Sequence, residues 1–172
     1  MPISHLCSPA FPSYDLGAVI TFTATHLIAI RNSSFVMEYV TQVLLSANPF
    51  ESCKWSILTS SISMGRHTSV RVSLPTQGFG RRRTVEYVFH QPSVVPWGEP
   101  RSIQCPRCLV LRRSKVLNAG KEGFLSYAFY VYKCLARGCG EKVTKHLSDT
   151  GRQQPTEVIP LDKKRAWLEF EV

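Results

Sequence analysis

Cys105-Pro106-Arg107-Cys108, then Tyr132-Lys133-Cys134-Leu135-Ala136-Arg137-Gly138-Cys139-Gly140, with 25 residues between the cysteine pairs, is the stretch that decides how the second half of this chain folds. Four thiolates presented by two tight turns can complete a tetrahedral zinc site, each sulfur about 2.3 Å from the ion. Pro106 pre-sets φ for the first turn, and Gly138 tolerates the positive φ that suits the second. Gly140 gives the chain room to leave the second knuckle. Two disulfides, or four unrelated buried thiols, are the competing readings. A CxxC and a CxxxxC bracketing a hairpin favour Zn2+, held by Cys105, Cys108, Cys134 and Cys139. An all-cysteine set leaves no open coordination position, so the expected ion is structural and not catalytic. His146 lies seven residues after Cys139 and is a substitute ligand in principle, although its ordinary reading is a solvated polar residue.

Between and around the pairs, Leu109 to Leu117 and Leu125 to Cys134 read as strands joined by a turn at Asn118-Ala-Gly-Lys-Glu-Gly123. Tyr127, Phe129 and Val131 give the second strand one modest apolar face, with Tyr130 and Tyr132 on the other. The pattern Cys-Pro-x-Cys, a basic strand, then aromatic-x-Cys-x-x-x-x-Cys resembles the zinc ribbons of the phage Ogr/Delta transcription activators and of insertion-element transposase accessory proteins. The resemblance covers residues 105–140, with a slightly longer inter-pair spacing than those families use. It implies a ribbon fold stapled by zinc and, by extension, DNA binding.

Charge points the same way. The chain carries 21 Lys and Arg against 12 Asp and Glu, a formal net charge of +9. Residues 101–150 hold ten of the basic groups and three of the acidic ones, which makes this segment +7. A zinc with four thiolates is formally −2 and offsets only part of that. Arg107, Arg112, Arg113, Lys115, Lys133, Arg137 and Lys142 are therefore candidate contacts to DNA or RNA, with Lys121 and Lys145 nearby. Tyr130 or Tyr132 is a candidate to stack on a base if it shares their face. The plain alternative is the solvated surface of a basic protein. Arg81-Arg82-Arg83 is a second basic run, shorter than an address or a phosphate patch usually needs.

The first half reads as strand, helix, helix, strand, strand. Gly17 to about Ala24 is β-branched and apolar, and Asn32-Ser33-Ser34 reads as an N-cap for a helix from Phe35 to Ser46. A second helix runs from Pro49 to Met64, with Cys53 on its buried face and Trp55 off it. Ser69–Leu74 and Thr84–His90 alternate as strands. The order from Gly17 to Leu74 resembles the later part of a caspase-like or CHAT peptidase domain. That likeness implies a His–Cys pair, yet His5 and Cys7 lie in a Pro-rich tail and His26 in an apolar run, and no other catalytic constellation is present. No enzyme is expected.

The expected fold class is α+β: a partial α/β region followed by a β-rich four-cysteine zinc ribbon. The expected boundaries are a tail over 1–16, the α/β region over 17–90, a stiff Pro/Trp linker over 91–100, the ribbon over 101–150, and a C-terminal extension over 151–172 closing with a strand near Ala166–Val172. A partial sheet leaves an edge, so a protein partner at that edge is the rival to nucleic acid, alongside a purely structural ribbon. The apolar run Gly17–Ile30 is 14 residues, too short to span a bilayer, and no secretory leader is recognisable. An intracellular location, nuclear or cytoplasmic, fits a zinc site of reduced cysteines.

Overall fold

Alternation along the strands assigns the faces of the larger of two sheets. The computed structural model describes residues 18–24, 29–76, 82–99, 104–110, 114–117 and 129–172. Among these, β2 (Val70–Pro75) and β3 (Arg82–His90) send Val70, Val72, Val85, Tyr87 and Phe89 to one face. Val88 and His90 take the opposite face, as the two-residue period of a strand requires. With β1 (Val19–Phe22), β7 (Glu157–Asp162) and β8 (Arg165–Glu171), they form a five-stranded sheet in the order β1-β2-β3-β8-β7. Every pairing in it is antiparallel. The strand–helix–helix–strand order suggests part of an α/β layer, and the structure builds that layer on an antiparallel sheet. The long excursion after β1 returns β2 beside it in the opposite sense. The strand that closes the sequence lies inside this sheet, between β3 and β7.

Helices cover one face: α1 (Ala29–Tyr39), a π-helical continuation over Val40–Leu45, α2 (Phe50–Thr59) and the single turn α3 (Ile62–Gly65). Phe35, Phe50, Ile57, Leu58 and Met64 pack onto Tyr87, Phe89, Ile159 and Trp167. The Trp167 indole N–H also donates to the Leu58 carbonyl at 2.7 Å. The approach at α3 is close enough that a Cβ on Gly65 would sit 2.6 Å from Phe89 and from the Trp167 ring. Asn32, Ser33 and Ser34 lie inside α1 and do not cap it, because burial of Phe35 outweighs their weak helix propensity. The expected second helix breaks at Ser60-Ser61, whose hydroxyls donate back to the Ile57 carbonyl at 2.8 and 2.6 Å. Cys53 is buried and Trp55 exposed.

A second, three-stranded sheet covers the other face. It contains β4 (Ser114–Val116), β5 (Phe129–Cys134) and β6 (Lys142–His146), antiparallel and in that order. Tyr130, Tyr132 and Val116 on its inner side meet Val88, Ala166, Leu168 and Phe170 of the large sheet. Within residues 91–99, expected as a linker, Trp97 joins this core. Trp97 is buried with its ring tilted against that of Tyr130, and its φ of 51° lies in the left-handed region that is uncommon for a non-glycine residue. The Trp97 amide donates to His90 Nδ1 at 2.9 Å. That fixes the proton of neutral His90 on Nε2, which faces the Tyr130 hydroxyl at 2.8 Å. Burial pushes the His90 imidazole down to about 4.

No helix among the described residues is long and apolar enough to cross a membrane.

Candidate metal centre and the basic face above it

Two turns aim four sulfurs at one point. In the first, the Leu109 amide donates to the Cys105 carbonyl at 2.9 Å and the Cys105 amide to the Val110 carbonyl at 3.2 Å. Cys134 ends β5, and its amide donates to Glu141 O at 2.8 Å, while the Cys139 amide donates to Ala136 O at 3.0 Å. Gly138 and Gly140 adopt φ of 75° and 63°; a Cβ on Gly138 would meet nothing within 4 Å, so backbone angle and not space favours glycine there. The four sulfurs all lie within 4.8 Å of one another. Cys105 Sγ is 3.7 Å from Cys139 Sγ, and Cys108 Sγ is 3.7 Å from Cys134 Sγ. The thiols are free, so the disulfide reading falls away.

The two 3.7 Å separations pass a simple geometric test. Four sulfurs at about 2.3 Å from a central ion stand about 3.8 Å apart along each tetrahedral edge. Each 3.7 Å contact joins one sulfur from each knuckle, so both turns are needed to complete the set. The Cys108 and Arg107 amides facing Cys105 bring its thiol down to about 7. The amides of Ala136 and Glu141 pull on Cys134 and Cys139 in the same direction. Burial and the neighbouring sulfurs outweigh that pull, so both thiols are raised. Four thiolates this close repel one another, so the set favours a cation at its centre. Cys105, Cys108, Cys134 and Cys139 are thus placed to hold a metal ion. His146 takes no part, since it stands at the far end of β6 opposite Phe129.

Above this centre, the register of the small sheet sets a row of like charges. Lys115 pairs with Lys133, and Lys133 with Lys142, so three lysines stand side by side across three strands. They share the outward face of β5 with Phe129 and Val131, because the alternate residues Tyr130, Tyr132 and Cys134 are buried. Direct like-charge neighbours in a sheet are destabilising, on the order of a few tenths of a kcal/mol per pair. Among the described residues none of the three makes an ion pair, whereas the large sheet neutralises its cations. There Lys54 reaches Glu157 at 2.6 Å and Glu169 at 3.0 Å, Arg83 reaches Glu169 at 3.0 Å, and Arg71 and Arg152 hold Glu86 at 3.2 and 3.0 Å.

Among the other basic candidates, Arg107 sits 3.5 Å from Glu141 and Arg137 is exposed in the second knuckle. Arg112, Arg113, Lys121 and Arg81 lie outside the described residues. Tyr130 and Tyr132 are corrected as stacking candidates, since both are buried against the large sheet. The aromatic group on the lysine face is Phe129, whose ring lies 5.8 Å from that of His146, its cross-strand partner. The clue available in sequence was the two-residue period itself: Phe129 and Lys133 lie four apart.

Comparison with protein families, with curated proteins and with solved structures finds no match. The likenesses to Ogr/Delta-type ribbons and to the caspase-like fold gain no support from it. What stands is an α+β chain in which four cysteines are placed to hold a metal ion.

Proposed function

We propose that the four cysteines hold one structural Zn2+ and that the basic sheet anchored by it contacts nucleic acid. A tetrahedral set of four thiolates suits zinc or iron, and zinc needs no redox partner. The closed ligand set leaves no position for a substrate, so the reading is of a binding protein and not an enzyme. Four reduced thiols also fit a nuclear or cytoplasmic setting. The observation that carries the nucleic-acid part is the lysine row Lys115–Lys133–Lys142, a repulsive arrangement that a polyanion would relieve. The formal −2 of a zinc–thiolate centre does not balance that row together with Arg137 and Lys145.

Elemental analysis of the purified chain tests the first half, with one zinc per chain expected. For the second half, affinity for labelled DNA and RNA is measured across a salt series. Binding that weakens steeply as salt rises supports phosphate contact, and no binding to either at low salt removes it. A second reading, a protein partner, rests on β1: a four-residue strand at the sheet edge, followed by helical turns that leave Val36, Met37, Leu44 and Leu45 exposed. The opposite edge strand, β7, carries Pro160 and a register shift, which blunt it.

A further inference from the structure

The outward face of the small sheet holds more than charge. Phe129 is 43% exposed, and its ring meets that of His146 across the β5–β6 pair. Next along β5 come Val131 and its partner Thr144, a low, neutral stretch, and then Lys133 flanked by Lys115 and Lys142. From Phe129 to Lys133 is about 13 Å at the rise of a strand, and the lysine row spans two strand spacings, about 10 Å. One end of the face thus offers an aromatic platform and the other a line of ammonium groups, with no carboxylate among the paired residues between them.

We infer that this face binds single-stranded nucleic acid, with a base stacked on Phe129 beside His146 and the adjoining phosphates on Lys133, Lys115 and Lys142. The inference rests on the nucleic-acid reading above and narrows it to unpaired strands. In a duplex the bases are stacked on each other and their faces are closed to a protein side chain, whereas every unpaired base presents a π-face. A flat three-stranded surface also lacks the helix or narrow ribbon that enters a major groove. Val131 and Thr144 are small enough to let the strand lie close between platform and lysines. The footprint is short, on the order of four nucleotides, the small end of what sheet-type single-strand binders cover. Stacking and phosphate contact are both indifferent to base identity, so little sequence preference is expected.

The test uses the full chain loaded with zinc and fluorescein-labelled 12-nucleotide DNA, either single-stranded or as a duplex, with fluorescence anisotropy as the readout. Single strands are expected to bind at least tenfold tighter than the duplex at the same salt. Phe129→Ala should weaken single-strand binding roughly tenfold and leave the slope of log affinity against log salt unchanged. Lys133→Gln should reduce that slope by about 0.7. Both residues lie on the outward face, and unchanged zinc content with a melting temperature that does not fall would show that the fold is intact. Equal affinity for duplex and single strand, or a Phe129→Ala protein that binds as before, overturns the stacking proposal while leaving phosphate contact standing. No binding to either form at low salt overturns both.

Discussion

The two sheets are stabilised by different means. The five-stranded sheet is covered on both faces, by helices on one and by the small sheet on the other, and its charged groups are paired. The three-stranded sheet has a single apolar side, made by Tyr130, Tyr132 and Val116, while its outer side carries three adjacent lysines. A sheet this small gains too little from burial to hold a repulsive surface in place by packing alone. The four sulfurs at its end are placed to hold a metal ion, and on the proposed reading that ion substitutes for the missing core. Side-chain packing carries stability in one region; in the other, the proposed staple would leave the outer surface available for binding.

That contrast can be broken most sharply at Cys134. Cys134→Ser should abolish stoichiometric zinc and melt β4 to β6, since binding of a structural zinc is worth about 10 kcal/mol or more in small modules. Elemental analysis and hydrogen exchange would read it, and a metal-free variant with native protection in the small sheet would refute the staple. Trp167→Ala tests the other side. Loss of a fully buried indole bonded to Leu58 should cost about 3–5 kcal/mol in denaturant unfolding, with zinc content unchanged.

His90 sits where the sheets meet, and pH separates its effect from that of the ion pairs. Its imidazole is held at about 4 when folded against an ordinary 6.5, so the unfolded chain binds the extra proton. The stabilisation is complete above pH 6.5 and is lost as pH falls toward 4, by an amount on the order of 3 kcal/mol. Burial alone would raise Glu86 and Glu169, but Arg152 and Lys54 respectively, with further cations, hold them below their ordinary 4.5. Their contribution is therefore lost only below about that pH. In a pH series of chemical unfolding, His90→Gln should flatten the slope between 6.5 and 4 while leaving the steeper loss below 4.5. The smallest effect is expected at Lys133. Lys133→Gln removes a like-charge contact on each side and should raise stability by a few tenths of a kcal/mol while weakening binding to single strands.

Sequence reasoning found the cysteine centre because metal ligation imposes spacing directly on the chain. It found β2, β3 and the closing strand because their alternation is strong. β6 escaped notice because Lys142-Val-Thr-Lys-His146 holds a single apolar residue, and β7 because Pro160 reads as a breaker when it in fact sits on an edge. The role of 91–99 was illegible for another reason. Pro92, Pro96 and Gly98 announce a loop, and only the neighbouring sheet shows that Trp97 fills a core. Which side of β5 faces outward depends on what covers it, which is why Tyr130 and Tyr132 passed for exposed rings.

The position of β8 has a consequence for how the molecule assembles. Its partner β3 ends about 75 residues earlier, so on a ribosome adding roughly 5–20 residues per second β3 emerges several seconds before the strand that completes its pairing. During that interval β3 has an open flank, the condition under which nascent chains pair with the wrong neighbour. The cysteine module lies within the intervening segment and is finished first. Capture of an ion would tie Cys105 to Cys139 within that segment before β8 arrives and so shorten the loop still to be closed. Metal supply during synthesis would then affect the yield of a sheet that contains no metal ligand of its own.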